Sequence, residues 1–169
     1  MSGSIHRRPF GTTPDGEAVD LFVLGDPGGV EASILTHGAA LHALLAPDRD
    51  GHRVNVVLGF ATLAGYVEGT GHYFGATVGR YANRIAGARF ALDGVVHDLD
   101  RNDGESCLHG GARGFHTRVW DVVEAADGAL RLAYSSPDGE MGFPGDLDVR
   151  VEYRLEDDEL RVDYEAVTS

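Results

Sequence analysis

Asn83 and Arg84 stand side by side in the run VGRYANRI, and further along His109 is followed by two glycines in the segment LHGG. An arginine presents five donors in a rigid planar fork and keeps its charge at any working pH. An asparagine offers donors and an acceptor together. Such a pair suits the vicinal hydroxyls of a polyol. A histidine can donate to an oxygen, or exchange a proton with it, near neutral pH. Gly110 and Gly111 lack side chains, so a ring could approach the backbone there. Each residue also has a plainer use: a surface ion pair for Arg84, a hydrogen-bonded turn for His109. Residue types alone leave both readings open.

Competing chemistries fit less well. GATVGRYANR lacks the Gly-Lys-Ser/Thr ending of a phosphate loop and the G-x-G-x-x-G of a dinucleotide site, so nucleotide binding is set aside. His72, His97, His109 and His116 fall in one region with Asp98, Asp100 and Asp103 nearby, yet no spacing matches a strong metal signature. No metal and no cofactor are expected. LHGG is similar to the oxyanion glycines of some esterases, but a G-x-S-x-G elbow is absent, because Leu108 follows Cys107. Cys107 and His109 would share a face of a strand, so a thiolate pair is conceivable. A lone cysteine in an apolar setting is more often inert packing.

Bulk properties narrow the field. The chain has 169 residues, suited to one domain or to a piece of a larger one. Its hydrophobic fraction of 43 % and charged fraction of 24 % are those of an ordinary globular chain. A net charge of −13 argues against nucleic acid, which needs concentrated Lys and Arg, and mildly favours a neutral substrate. No apolar run is long enough to span a membrane, and no apolar stretch follows Arg7-Arg8 as a signal peptide would require. With Cys107 as the single cysteine, no internal disulfide can form, and a reducing cytoplasm is the expected location.

The elements that must position these residues read as strands. Asp-Gly pairs recur between apolar runs, and Asp-Gly is a strong hairpin signal because the turn needs positive φ at both central residues. ARFALDGVVHDL reads as one hairpin. RVWDVVEAADGALRLAYSS reads as another, with Val119 and Val122 or Val123 facing Leu130, Leu132 and Tyr134. Leu147, Val149, Val151, Tyr153 and Leu155 alternate at period two, as do Leu160, Val162, Tyr164 and Ala166, which predicts two half-buried antiparallel strands. Earlier strands are expected over Ala18–Leu24, Val30–Thr36, Leu41–Leu45 and Val54–Leu58, and a short helical turn over Ala61–Val67. The fold class is all-β, a mostly antiparallel β-sandwich. The last strand would present an open edge, blunted by Glu159, Arg161, Asp163 and Glu165.

Taken together, LGF with the following Leu-x-Gly-Tyr, YFGATVGRYANRIA, the F-x-LDG hairpin, LHGG with the following Gly-Phe, and VW-x-V resemble the aldose 1-epimerases, or galactose mutarotases. The resemblance runs from ILTHGAALHALLAPDRDG through SPDGEMGFPGDLDVRVEYRL and covers essentially the whole chain. It implies an antiparallel supersandwich and interconversion of the α and β anomers of free aldoses by acid/base ring opening, without a cofactor. By the same resemblance Asn83 and Arg84 are sugar-hydroxyl ligands, and His109 is the first active-site histidine, a catalytic residue near the ring oxygen that supports proton donation. Between them NDGESC departs from the family's usual Asn-Gly-Pro-Asn-rich run, which leaves the preferred aldose open.

The resemblance also implies that the main proton-donating histidine, an aspartate ligand and the glutamate base lie beyond Ser169. Residues 1–169 are therefore expected to be the N-terminal portion of a single sandwich domain, weakly active or inactive alone. Glu105 and Glu140 are conceivable substitute bases that nothing places at the site. Three accounts follow: a truncated chain, one half of a split enzyme docking near Tyr164, or a non-catalytic sugar-binding module. Self-association through the open edge is a further expectation. A hexose-phosphate epimerase ranks lower, since Arg80, Arg84 and Arg89 supply little positive charge.

Overall fold

The computed structural model describes residues 4–26 and 28–169. The chain opens with an antiparallel five-stranded meander: β1 (Ile5–Thr12), β2 (Ala18–Leu24), β3 (Glu31–Leu35), β4 (Ala40–Pro47) and β5 (Arg53–Asn55), adjacent in that order. A short helix, α1 (Leu63–Glu68), follows, with the Thr62 side chain accepting the Gly65 N–H as its N-cap. Two small ribbons come next. β6 (Arg84–Ile85) pairs across the chain with β9 (Cys107–Leu108), and β7 (Arg89–Leu92) forms a hairpin with β8 (Val95–Asp98). The second large sheet is the meander β10 (Asp121–Ala126), β11 (Ala129–Ser136), β12 (Leu147–Glu156) and β13 (Glu159–Thr168).

The two large sheets face each other across the main core. Phe22, Leu24, Ala32 and Ile34 from the first meet Leu130, Leu132, Val149, Val151, Tyr153 and Leu155 from the second. Alternation explains this for β12, whose Val149, Val151, Tyr153 and Leu155 are buried while Asp148 and Arg150 are exposed. The outer face of the first sheet, through Val19, Leu21, Leu35 and Ala40, is covered by Leu63 of α1. Phe115 and Trp120 close one end of the core edge-to-face, and Trp120 Nε1–H donates to the Phe115 carbonyl at 3.2 Å. Tyr153 ties the sheets together by donating its hydroxyl to the Ala39 carbonyl at 2.7 Å.

An antiparallel, mostly β architecture is what the alternation implied. Asp93-Gly94 and Asp127-Gly128 have positive φ at both positions, as two-residue hairpin turns demand. At the other Asp-Gly pairs only the glycine does, so those turns are of other kinds. β2 spans the expected residues, and α1 begins two residues into the expected helical turn. Other boundaries differ. β1 was not anticipated: Pro9 obscures its pattern, and it survives because β1 is an edge strand with a bulge between Pro9 and Gly11. β5 stops at Asn55, leaving Val56 and Leu58 exposed at 60 % and 72 %. β10 and β11 form the expected hairpin, with Val122 opposite Leu132, and β10 is exposed along its whole length. β13 is half-buried only through Leu160 and Val162; beyond them Tyr164 and Ala166 are exposed. Among the described residues no helix is long and apolar enough to cross a membrane.

Candidate functional site

The β6–β9 ribbon pairs Arg84 with Leu108 and Ile85 with Cys107, which puts Asn83 opposite His109 one step further on. There the two residues engage reciprocally. The His109 N–H donates to the Asn83 carbonyl at 3.0 Å, and the Asn83 N–H donates to His109 Nδ1 at 3.0 Å. Both sit in the left-handed region, with φ of 67° at Asn83 and 51° at His109, so the ladder stops there and the His109 ring caps the Asn83 N–H. Because Nδ1 accepts, the neutral ring carries its proton on Nε2. Burial, and then the charge of Arg84, hold the imidazole pKa below its ordinary value.

Arg84 realises the ion pair that the acidic composition suggested. Its Nε donates to Asp103 Oδ2 at 2.6 Å, and its Nη1 lies 3.5 Å from Asn83 Oδ1. Both side chains remain substantially exposed, so a hydroxyl can reach the outer guanidinium nitrogens. The turn Asp103–Ser106 aims Asp103 at Arg84. Asn102 grips Leu108 on both sides, accepting its N–H at 2.7 Å and donating to its carbonyl at 2.9 Å. The sequence reading missed Asn102 and Asp103 as supports; their only signal was a polar pair at the Asp-Gly turn before LHGG.

The glycines after His109 serve the protein's own packing. Gly110 has φ of 84°, and a Cβ there would lie 1.7 Å from the Gly79 carbonyl oxygen. A Cβ on Gly111 would meet Met141 Cγ at 2.9 Å. This corrects the idea that these positions open space for a sugar ring: the space is taken by other parts of the chain.

Other candidates disperse. Cys107 is buried with Ala88, Leu99 and Phe143, and burial pushes its thiol pKa up, which removes the thiolate alternative. Glu140 is enclosed: Oε1 accepts from Arg118 at 2.5 Å and from the Tyr134 hydroxyl at 2.6 Å, and Oε2 accepts from Ser136. Glu105 is exposed in the Asp103–Ser106 turn. Arg80 spends its guanidinium on Ser136, Pro137, Pro144 and Gly145, and Arg89 is paired with Asp98. His72 stacks on Phe74 and His97 lies against Phe90. Among the described residues no three His, Cys, Asp or Glu side chains gather as a metal site. His116 is buried, and Tyr73 lies against both its ring and that of His109.

Comparison with known proteins gives this arrangement its context. The family model for aldose 1-epimerase matches residues 20–169. The galactose mutarotase of Rattus norvegicus is 43 % identical over 167 residues, covering 98 % of this chain and 48 % of that protein. The aldose 1-epimerase of Escherichia coli K12 is 39 % identical over 145 residues, 86 % of this chain and 42 % of that protein. Among solved structures, a galactose 1-epimerase from Lactobacillus acidophilus superposes with a TM-score of 0.82 at 28 % identity, over 99 % of this chain and 49 % of that one. An aldose epimerase homologue from C. elegans gives 0.84 at 32 % identity, over 90 % and 47 %. The chain belongs to the aldose 1-epimerase family. It spans about half the length of the curated relatives it matches.

Proposed function

We propose that this chain carries the sugar-ligand half of an aldose 1-epimerase site, with Asn83, Arg84 and His109 as its binding residues. The observation that carries the reading is the reciprocal Asn83–His109 pairing, which commits Nδ1 and leaves the ring proton on Nε2, available as a donor. Anomer interconversion needs a base to take the proton from the anomeric hydroxyl and an acid to protonate the ring oxygen. Rotation about the resulting aldehyde carbon and reclosure complete it. A histidine with lowered basicity stays neutral near pH 7, so His109 acts by hydrogen bonding the ring oxygen and polarising the bond that breaks. Arg84 and Asn83 hold neighbouring hydroxyls and set the ring's orientation. Each acid or base of the full reaction contributes roughly 10²–10⁴ in rate. The substrate class is free aldohexoses such as glucose or galactose.

In this reading residues 1–169 form the N-terminal portion of one sandwich domain, and the proton-transfer pair comes from the remainder. Among the described residues β13 has a neighbour on one side only, which supports it, together with a 340 Å³ largely apolar groove near that edge between Val78, Phe115, Leu147, Val149, Tyr164 and Ala166. A second β-rich polypeptide equivalent to the relatives' other half would cover both. Taken alone, these residues favour sugar binding without turnover, since the enclosed carboxylate of Glu140 already accepts three hydrogen bonds. The buried lone thiol of Cys107 suits a cytoplasmic protein. The test is titration of D-galactose and D-glucose into the protein by ligand-observed NMR. Saturable binding that Arg84→Ala weakens at least tenfold supports the assignment; equal binding by the variant refutes it.

A further inference from the structure

Tyr73 lies outside the ribbon that carries Asn83 and His109, yet its ring touches the histidine directly. The two ring centroids are 4.6 Å apart and the planes cross at 60°. The same tyrosine packs edge-on against His116, again at 4.6 Å. Tyr73 has φ of 53°, a conformation bulky residues adopt only where the surroundings over-determine it. That turn separates its ring from those of His72 and Phe74, which stack on each other at 5.2 Å. The segment is anchored to the first sheet, since the Leu41 N–H donates to the Gly75 carbonyl and the Thr77 N–H to the Gly38 carbonyl, both at 2.9 Å. His116 is 7 % exposed and remains neutral, its pKa lowered to about 4 by burial first and then by the charges of its neighbours. Tyr73 is thus an arm reaching from the first sheet, backed by a buried uncharged ring.

We propose that Tyr73, braced by His116, is a positioning residue that fixes the ring plane of His109 so that Nδ1 stays on the Asn83 N–H and Nε2–H stays directed outward. One hydrogen bond at Nδ1 leaves the imidazole free to swing about its side-chain torsions; a tilted aromatic ring packed against it restricts that freedom. The purpose assigned to this restraint rests on the sugar-site reading, whereas the restraint itself does not.

The experiment is long-range ¹H–¹⁵N NMR of the full chain with ¹⁵N-histidine at pH 7, without sugar. The native protein and Tyr73→Phe are expected to show His109 as a single Nε2–H tautomer. Tyr73→Leu is expected to raise the Nδ1–H tautomer several-fold and broaden its signals. An unchanged His109 spectrum in folded Tyr73→Leu overturns the proposal. Should Tyr73→Leu fail to fold, the native protein decides: His109 ring protons shifted by the tyrosine ring current support the contact, and their absence overturns it. Galactose titration of the same samples separates the two claims. A tautomer that responds in a protein that binds no aldose would leave the positioning role standing and remove the sugar site.

Discussion

The N–H of Asn83 donates to Nδ1 of His109 at 3.0 Å, and the N–H of His109 donates to the carbonyl of Asn83 at the same distance. Through this closed pair the backbone of Asn83 dictates the tautomer of His109. A second proton can reach Nδ1 only if the ring gives up the Asn83 N–H, which reinforces the low basicity that burial and Arg84 already impose.

Arg84→Gln should therefore raise the titration midpoint of His109 toward the ordinary histidine value, because it removes the neighbouring positive charge. Burial persists, so recovery should be incomplete. Histidine NMR across pH 4–8 reads this directly. A midpoint that falls or stays put would mean that Arg84 does not act on His109.

His116 makes stability depend on acidity. Its pKa is lowered to about 4 in the folded protein, so between there and about 6.5 the unfolded chain binds the extra proton. Stability is thus full above that window and is lost as pH falls through it, by about 2 kcal/mol at pH 5. Urea unfolding at pH 7 and pH 5 should show the loss, and His116→Phe should flatten most of it. His37, His42 and His109 are shifted the same way and leave a residual slope.

Asp103→Asn should leave stability within about 1 kcal/mol, since the ion pair it breaks is partly exposed. Its effect belongs to ligand affinity: Arg84 loses its anchor, and aldose binding should weaken roughly two- to fivefold, matching that energy. Titration of both proteins with D-galactose checks this, and an unchanged affinity would show that Asp103 does not hold Arg84 for the sugar.

Gly110→Ala should cost about 3 kcal/mol or more, because the new Cβ would sit 1.7 Å from the Gly79 carbonyl oxygen on a backbone with positive φ. Denaturation midpoints measure it. A near-neutral substitution would show that the LHGG segment can move away from Gly79.

Strand periodicity was legible where one face is buried, as in Val149 to Leu155 of β12, because side-chain alternation and burial coincide there. The β10–β11 hairpin was legible from its Asp-Gly turn, although this edge strand leaves Val122 and Val123 exposed; β1 was not, because Pro9 breaks a strand pattern without breaking an edge strand. Residue type left Asn83, Arg84 and His109 open, and only the family resemblance singled them out as site candidates; the pairing of β6 with β9 brings them together. Neither signal marked Tyr73 or Asp103. Their contacts depend on a left-handed turn and a cross-ribbon approach, and neither leaves a periodic trace in the sequence.

The most direct test is polarimetry of freshly dissolved α-D-galactose with the purified chain, alone and mixed with a polypeptide equivalent to the second half of a relative. The expected result is the buffer rate for the chain alone, and acceleration on mixing that His109→Asn diminishes. Acceleration by the chain alone, abolished by His109→Asn, would contradict the account, since acid and base would then both lie within these 169 residues.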